Sequence, residues 1–361
     1  MQILQYKVHE WREELPMIKP YYAIKCNPNT EMIKYFVKQG LGFDCASRQE
    51  IETVIGLGAN SSSIIYAHPV KSISDLKYAY NSGIRCTTFD SLSELEKIKE
   101  YAPKMDCIIR LKVDNPTARV QLGLKYGVDY EEYKKLINYA KDKNINIVGA
   151  SFHVGSASKE VNVFESGIKY CRDVFDYANH KGFSPKIIDV GGGFTCETFK
   201  DCASVIRESI VKYKFDTNDY KLMAEPGRYF AEEFMTFFVN VIGQRRREYN
   251  EYWISDSLYG SFNCVIFDCQ TPLFEVLRHP LLAEYKGNNV EQESIIYCNT
   301  CDSMDHLGKV KLPYLRNGDY LMIPNFGAYT LSAACDFNGI NMTKPKIFYI
   351  SNLDKFIINK N

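Results

Sequence analysis

A lysine closes the apolar run YYAIK (21–25), and the turn-forming residues Cys-Asn-Pro-Asn follow at once. Other reactive side chains stand in similar places. Asp44 lies in GFDCA (42–46), Arg110 in CIIRLKV (107–113) and His153 in IVGASFHV (147–154). Gly191-Gly192-Gly193 closes IIDVGGG (187–193), and Glu225 closes KLMAE (221–225). A lone histidine or aspartate at the end of a strand is ordinary. Six such positions in succession point instead to one shared rim, where an amine, a guanidinium, an imidazole, carboxylates and a glycine-rich turn converge on a small molecule.

The glycines narrow the chemistry. In Asp-Val-Gly-Gly-Gly-Phe no Cβ intrudes, so backbone N–H groups can crowd round an anion. Glu225-Pro226-Gly227-Arg228 adds another glycine and a guanidinium, which grips phosphate with two donors at once. A phosphate cradle, an isolated lysine across the rim and a carboxylate between them suggest pyridoxal phosphate as cofactor. Lys25 would bind its aldehyde covalently, the carboxylate would keep the ring nitrogen protonated, and His153 would stack on the ring face. Lys25 stands at a strand tip because that tip faces the mouth of a barrel.

The elements that must position these groups follow from periodicity. Besides the runs already quoted, IIYA (64–67) and CTTF (86–89) complete eight short β-rich runs in the first 225 residues. Helical patterns lie between them: one from Thr30 to a stop at Gly40, others opened by the capping boxes Ser47/Glu50 and Ser91/Glu94. Nearly all-apolar strands alternating with helices mean a parallel sheet buried on both faces. Eight such units predict a closed α/β (β/α)8 barrel, with chemistry at the C-terminal ends of its strands. A doubly wound open sheet is the alternative, but it usually carries a Gly-rich turn after its first strand, and here that turn is Cys-Asn-Pro-Asn. After about residue 235 the helical period fades. FFVNVIG, EYWISD, CVIFD, SIIYCN, DYLMIP and KIFYIS predict a mostly antiparallel β domain, with RRREYNEY (245–252) as a charged hairpin. The expected domains are 1–234, the cofactor-binding barrel, and 235–361, the β domain.

The chain has 361 residues, and its 44 Lys+Arg balance 44 Asp+Glu. That neutrality argues against nucleic acid or an anionic membrane as the main partner. No apolar run reaches the ~18 residues of a bilayer span. Its 12 cysteines sit singly, mostly within apolar runs, as expected of free thiols in a reducing, cytoplasmic setting. Cys298 and Cys301 have C-x-x-C spacing, but no second pair or pair of histidines completes a zinc site, so no metal is expected.

The ordered series YYAIKCN, GFDCASRQEIE, SFHVGS, DVGGGF, AEPGRYF, YGSFNCVIFD, CDSMDHL and FGAYTLSAACDFNG resembles the eukaryotic-type ornithine decarboxylases, pyridoxal phosphate enzymes of the alanine-racemase-like class. The resemblance spans essentially the whole chain. It implies decarboxylation of ornithine to putrescine, the first step of polyamine biosynthesis. Lys25 is similar to the family's aldehyde-binding lysine, and Asp44 and Glu50 to the acidic residues near it. Arg110 resembles the active-site arginine and His153 the ring-stacking histidine. Ser156, Gly191, Gly192, Gly193, Gly227, Arg228 and Tyr329 resemble the phosphate contacts, and Glu225 the partner of the ring nitrogen. Cys301 resembles the thiol that reprotonates Cα after CO2 leaves. Asp268 and Asp302 resemble the carboxylates that receive the distal ammonium, with Tyr259 and Phe337 as pocket walls. A homodimer with shared active sites is also implied, tied by Lys125 and Asp305.

The family's other members set the alternatives. A sibling acting on lysine, arginine or diaminopimelate is one; an inactive antizyme-inhibitor-like homologue is another. Asp268, a short carboxylate, suits a short diamine, and Asp268 with Asp302 would repel the distal carboxylate of diaminopimelate. Retention of Lys25, Asp44, Glu225, Arg228 and Cys301 argues against an inactive homologue. An antizyme-type regulator would dock on the charged surface around Lys77 and Lys97, lysines that serve equally well as solvated helix faces. One departure bears on substrate preference: after Asp268 the family has His-Ala-His, and this chain has Cys269-Gln270-Thr271.

Overall fold

In the computed structural model, which describes residues 1–216, 218–277 and 290–350, each of the eight apolar runs contributes a strand. They are β1 (Ile18–Ala23), β2 (Gly42–Cys45), β3 (Ile64–Tyr66), β4 (Cys86–Phe89), β5 (Asp106–Leu111), β6 (Ile147–Phe152), β7 (Ile187–Asp189) and β8 (Lys221–Ala224). All are parallel, and the ring closes where Ile18, Lys19 and Pro20 pair with Leu222, Met223 and Ala224. The expected barrel is therefore present. Its helices are α1 (Gln2–Glu14), α2 (Thr30–Gln39), α3 (Arg48–Gly56), α4 (Ile73–Asn81), α5 (Leu92–Tyr101), α6 (Tyr133–Asp142), α7 (Val163–His180), α8 (Phe199–Lys212) and the short α9 (Arg228–Ala231).

Helix starts follow the caps. The helix α2 runs from Thr30 as expected, capped by Asn29, which accepts from the N–H groups of Glu31 and Met32, and Gly40 ends it at φ 74, where a Cβ would be strained. Ser47 caps α3, and Glu50 reaches back to the N–H of Ala46 at 2.6 Å. Ser91 caps α5, but its expected capping partner Glu94 turns inward and pairs with Lys71 (2.9 Å) and Lys97 (2.6 Å). A buried lysine outcompetes a backbone N–H for that carboxylate.

The first strand differs from expectation. It begins at Ile18 and ends at Ala23, whose N–H donates to Pro226 O (3.1 Å). Lys25 stands in a single 3-10 turn, Ile24–Cys26, rather than in the strand itself. That turn is still at the C-terminal end of β1.

The chain divides into two compact units, Leu4–Phe230 and, with Met1–Ile3, the segment from Ala231 onward. The second carries a six-stranded sheet in the order β11-β14-β9-β10-β12-β13. These strands are β9 (Phe237–Arg246), β10 (Asn250–Ile254), β11 (Glu275–Leu277), β12 (Gln292–Tyr297), β13 (His306–Leu312) and β14 (Tyr320–Ile323). Among the described residues only the β10–β12 pairing is parallel, so the sheet is mostly antiparallel as expected. RRREYNEY forms the β9–β10 hairpin. Val239, Val241, Tyr252, Ile254, Ile296 and Leu321 fill its core. CVIFD is not a strand: Cys264–Phe267 form the one-turn helix α10, after Asn263, whose side-chain amide holds Gly260 O and Thr330 O. KIFYI (346–350) carries no strand either, and Ser351 lies outside the described residues. The two strands missed by pattern, β11 and β13, are the two edges of the sheet. In β13 exposed Lys309 and Lys311 alternate with Val310 and Leu312, the polar pattern that keeps an edge from pairing further.

Candidate active site

At the mouth of the barrel Lys25 Nζ forms an ion pair with Asp44 Oδ2. Asp44, on β2, is fully buried, and its other oxygen, Oδ1, has no hydrogen-bond partner among the described residues. Nearby Glu50 is held above the usual carboxylate range by burial. His153 follows β6 and accepts the Gly155 N–H on Nδ1 at 3.0 Å. Burial, then the positive charges of Arg110 and Lys25, push its pKa well below the ordinary value. The imidazole is therefore neutral, with its remaining proton on Nε2. Arg110 lies over the Tyr126 ring at 5.3 Å.

The glycine run packs backbone against backbone. A Cβ on Gly191 (φ 67) would fall 2.0 Å from Phe152 O, and one on Gly192 would fall 2.7 Å from both Glu225 O and His153 Nε2. No side chain fits there, so a Cβ-free stretch of backbone remains, with the Gly191 N–H taken by Asp189. Beside it Arg228, almost fully buried, donates from Nη2 to Ser156 Oγ at 3.0 Å. Gly227 joins this arginine to Glu225 and Pro226.

Glu225 does not stand alone. Asp189 ends β7, fully buried, and takes the Gly191 N–H at 2.8 Å, while Glu225 N–H donates to Gly191 O at 2.7 Å. The Asp189 charge disfavours ionisation of Glu225, so this buried pair favours holding a proton. Burial pushes Asp189 up to about 7. Glu225 is pushed well above the usual range by burial, then by Asp189 and Asp44. Glu225 Oε1 and Asp189 Oδ2 have no protein donor among the described residues. Sequence reasoning quoted Asp189 only as the start of a glycine run. The available signal was a carboxylate closing a strand at the level of the other site residues.

The second unit carries its own cluster. Tyr259 Oη donates to Asp302 Oδ2 at 2.6 Å and its ring stacks on Phe337, centroids 4.3 Å apart. Exposed Cys301 donates its N–H to Asn338 Oδ1 at 2.9 Å. Cys298 is buried, with its thiol pushed up by burial, so the two cysteines of the C-x-x-C pair have unlike surroundings; both are free. Asp305 is 3% exposed and accepts from Ser257 Oγ, Leu258 N and both the N–H and hydroxyl of Thr300. It binds the Cys301 loop to the Ser257–Tyr259 segment. Asp268 is buried beside α10, and Tyr329 has a left-handed backbone (φ 56). In the barrel unit Lys125 is exposed and lies over Tyr126 at 5.1 Å. Lys97 is engaged by Glu94, whereas Lys77 is exposed over the Tyr101 ring.

The barrel residues fit pyridoxal phosphate. A buried acid with an unpartnered oxygen suits the ring nitrogen, a Cβ-free backbone loop and Arg228 suit phosphate, and a lysine amine suits the aldehyde. A family model described as the pyridoxal binding domain of the pyridoxal-dependent decarboxylases matches residues 2–232. The chain belongs to the pyridoxal-dependent decarboxylases. Among curated relatives, the ornithine decarboxylase of Schizosaccharomyces pombe is 38% identical, over 92% of this chain and 78% of that protein. The ornithine decarboxylase of Mus musculus is 35% identical, over 94% and 77%. Among solved structures, the Paramecium bursaria Chlorella virus arginine decarboxylase bound to agmatine superposes with a TM-score of 0.89 at 36% identity, covering 94% of this chain and 91% of that one. The lysine/ornithine decarboxylase of Vibrio vulnificus complexed with putrescine gives 0.83 at 28%, covering 94% and 90%. Pyridoxal phosphate is thus the cofactor of this decarboxylase, and among its described residues no helix is long and apolar enough to cross a membrane.

The acid pair makes stability of the cofactor-free decarboxylase depend on pH. Asp189 rises from an ordinary 3.8 to about 7, so the native state holds a proton that the unfolded chain releases within that window. Stability should be greatest below the window and fall as pH rises through it. Melting curves of the cofactor-free protein against pH test this. Asp189→Asn should flatten the slope, and an equal slope in the variant would remove the pair as its source.

Proposed function

We propose that this decarboxylase converts L-ornithine to putrescine, the first step of polyamine biosynthesis. The observation that carries the substrate is buried Asp268, a short carboxylate suited to a distal ammonium. Asp302, oriented by Tyr259, is the second acid for that ammonium, and Phe337 with Tyr259 walls the pocket. The named ornithine decarboxylases among its relatives support the same substrate.

When bound, pyridoxal phosphate supplies a sink for the electron pair that CO2 leaves behind. The chain's residues do the rest. Lys25 would hold the aldehyde, with Asp44 balancing its charge. Ser156, Gly191, Gly192, Gly193, Gly227, Arg228 and Tyr329 hold the phosphate. Glu225 would keep a proton at the ring nitrogen, and His153, kept neutral by burial and then by Arg110 and Lys25, would cover the ring face without adding a charge. Cys301 delivers a proton to Cα, and its placement decides whether putrescine forms cleanly.

The protein acts as a homodimer whose sites are shared: the barrel of one subunit is completed by Cys301 and Asp302 of the partner subunit. Exposed Phe267, Met304 and Phe337 on the second unit favour such a contact. Lys125 and Asp305 tie the subunits, with Asp305 already set by its own loop. Free thiols suit the cytoplasm. An antizyme-type regulator would meet Lys77, while Lys97 is taken up by Glu94.

Release of CO2 from ornithine, lysine and arginine, measured in parallel, tests the substrate; kcat/KM should be highest for ornithine. Lys25→Ala and Cys301→Ala subunits, mixed after confirmed exchange, should recover about a quarter of wild-type activity, since half the dimers then hold one intact site. A better rate on lysine or arginine overturns the substrate, and no recovery overturns the shared site.

A further inference from the structure

Asp268 follows α10, and the chain turns back sharply after it. Cys269 has φ 50, a left-handed backbone that a side-chain-bearing residue seldom adopts. The N–H groups of Asp268 and Gln270 both reach Cys264 O, at 3.1 and 3.0 Å. This turn swings the half-buried side chain of Gln270 onto the carboxylate two residues before it. Gln270 Nε2 donates to Asp268 Oδ2 at 2.6 Å and to Ala328 O at 2.8 Å. Both protons of the amide are then used, one on each acceptor. The amide is a strut, anchored on a backbone carbonyl and bearing on the acid.

We propose that Gln270 is the residue that sets substrate length in this decarboxylase, by fixing where the Asp268 carboxylate stands and by occupying one of its oxygens. The inference rests on Asp268 receiving the distal ammonium of the substrate. A carboxylate free to turn about its last bond meets cations at more than one distance. One held at Oδ2 presents a fixed target, and a chain longer by one methylene must buckle to reach it. The same contact works against a guanidinium, whose planar fork seeks both oxygens of a carboxylate together. An ammonium has no such requirement. Gln270 touches an acid of the binding pocket and not the reacting atoms, so it is a positioning residue.

The test compares the holoenzyme with Gln270→Ala and with Gln270→Met, which keeps the bulk and loses the donor. Each is assayed on ornithine and lysine, and binding of putrescine and cadaverine is measured directly. The ornithine-to-lysine ratio of kcat/KM should fall roughly tenfold in both variants, the scale of discrimination by one methylene. The change should lie in KM for ornithine more than in kcat, and putrescine binding should weaken while cadaverine binding holds. An unchanged ratio in a folded Gln270→Met, or equal losses on both substrates, overturns the proposal. Asp268→Ala separates the two levels. If it leaves KM for ornithine unaltered, the role of Asp268 fails and the inference with it. If it raises KM while the Gln270 variants keep the wild-type ratio, the inference alone fails.

Discussion

Lys25→Ala should lose covalently held pyridoxal phosphate and slow decarboxylation by roughly 10²–10⁴-fold, the scale on which a positioned proton-transfer or nucleophilic group contributes. The expectation follows from placement. The 3-10 turn after β1 brings Nζ onto Asp44, a carboxylate buried beneath the barrel mouth. Borohydride reduction followed by peptide mass spectrometry should find the cofactor on Lys25 in the wild type and on no lysine in the variant. A variant that keeps a reducible cofactor adduct and near-normal turnover would refute the assignment. Asp44 loses its cation in the same substitution. Because the Lys25 side chain is 41% exposed, solvent already screens the pair, so the stability loss should fall well short of the ~3–5 kcal/mol of a fully buried pair.

Glu225→Gln should slow decarboxylation by about 10²–10³-fold, the usual loss when a preorganised electrostatic contact to developing charge is removed. An amide cannot hold the ring nitrogen protonated, so electrons left by CO2 have a poorer destination. The cradle at Gly191–Gly193 and Arg228 is untouched, and phosphate-dependent affinity for the cofactor should change little. The sign of the stability effect is the opposite of the activity effect. Glu225 and Asp189 are two buried acids that cannot both ionise cheaply, and Gln relieves that conflict. Cofactor-free Glu225→Gln should melt no lower than wild type above neutral pH, while its holoenzyme is slow. Wild-type kcat in this variant would sink the role given to Glu225.

The barrel was legible because its strands are short apolar runs with a turn after each, and because closing eight of them leaves one rim for the polar ends. Lys25 was legible as a strand-end amine, but its 3-10 turn was not: Ile24 looks like any other strand residue, and only the pairing of Ala23 N–H with Pro226 O shows where the strand stops. Edge strands β11 and β13 escaped notice because β11 has only three residues, Glu275–Leu277, and Gly308 interrupts the alternation of β13. CVIFD has strand-like composition over a length at which one helical turn cannot be told from a strand. Asp189 was hidden by the glycines it precedes. The bearing of Gln270 on Asp268 depends on a left-handed Cys269, and cysteine gives no warning of that conformation.

Ring closure between β1 and β8 also sets when the protein can first become an enzyme. Lys25 is made early in translation and Glu225 late, and Ala23 meets Pro226 only once the whole circle of strands exists. A nascent chain that has emerged as far as β7 carries the reactive amine but neither the acid nor Arg228. Long-range pairing of this kind is slow to form, because the loop it closes is nearly the entire unit. Cofactor capture therefore waits on ring closure, because a barrel stalled before β8 has the amine of Lys25 without Glu225 or Arg228.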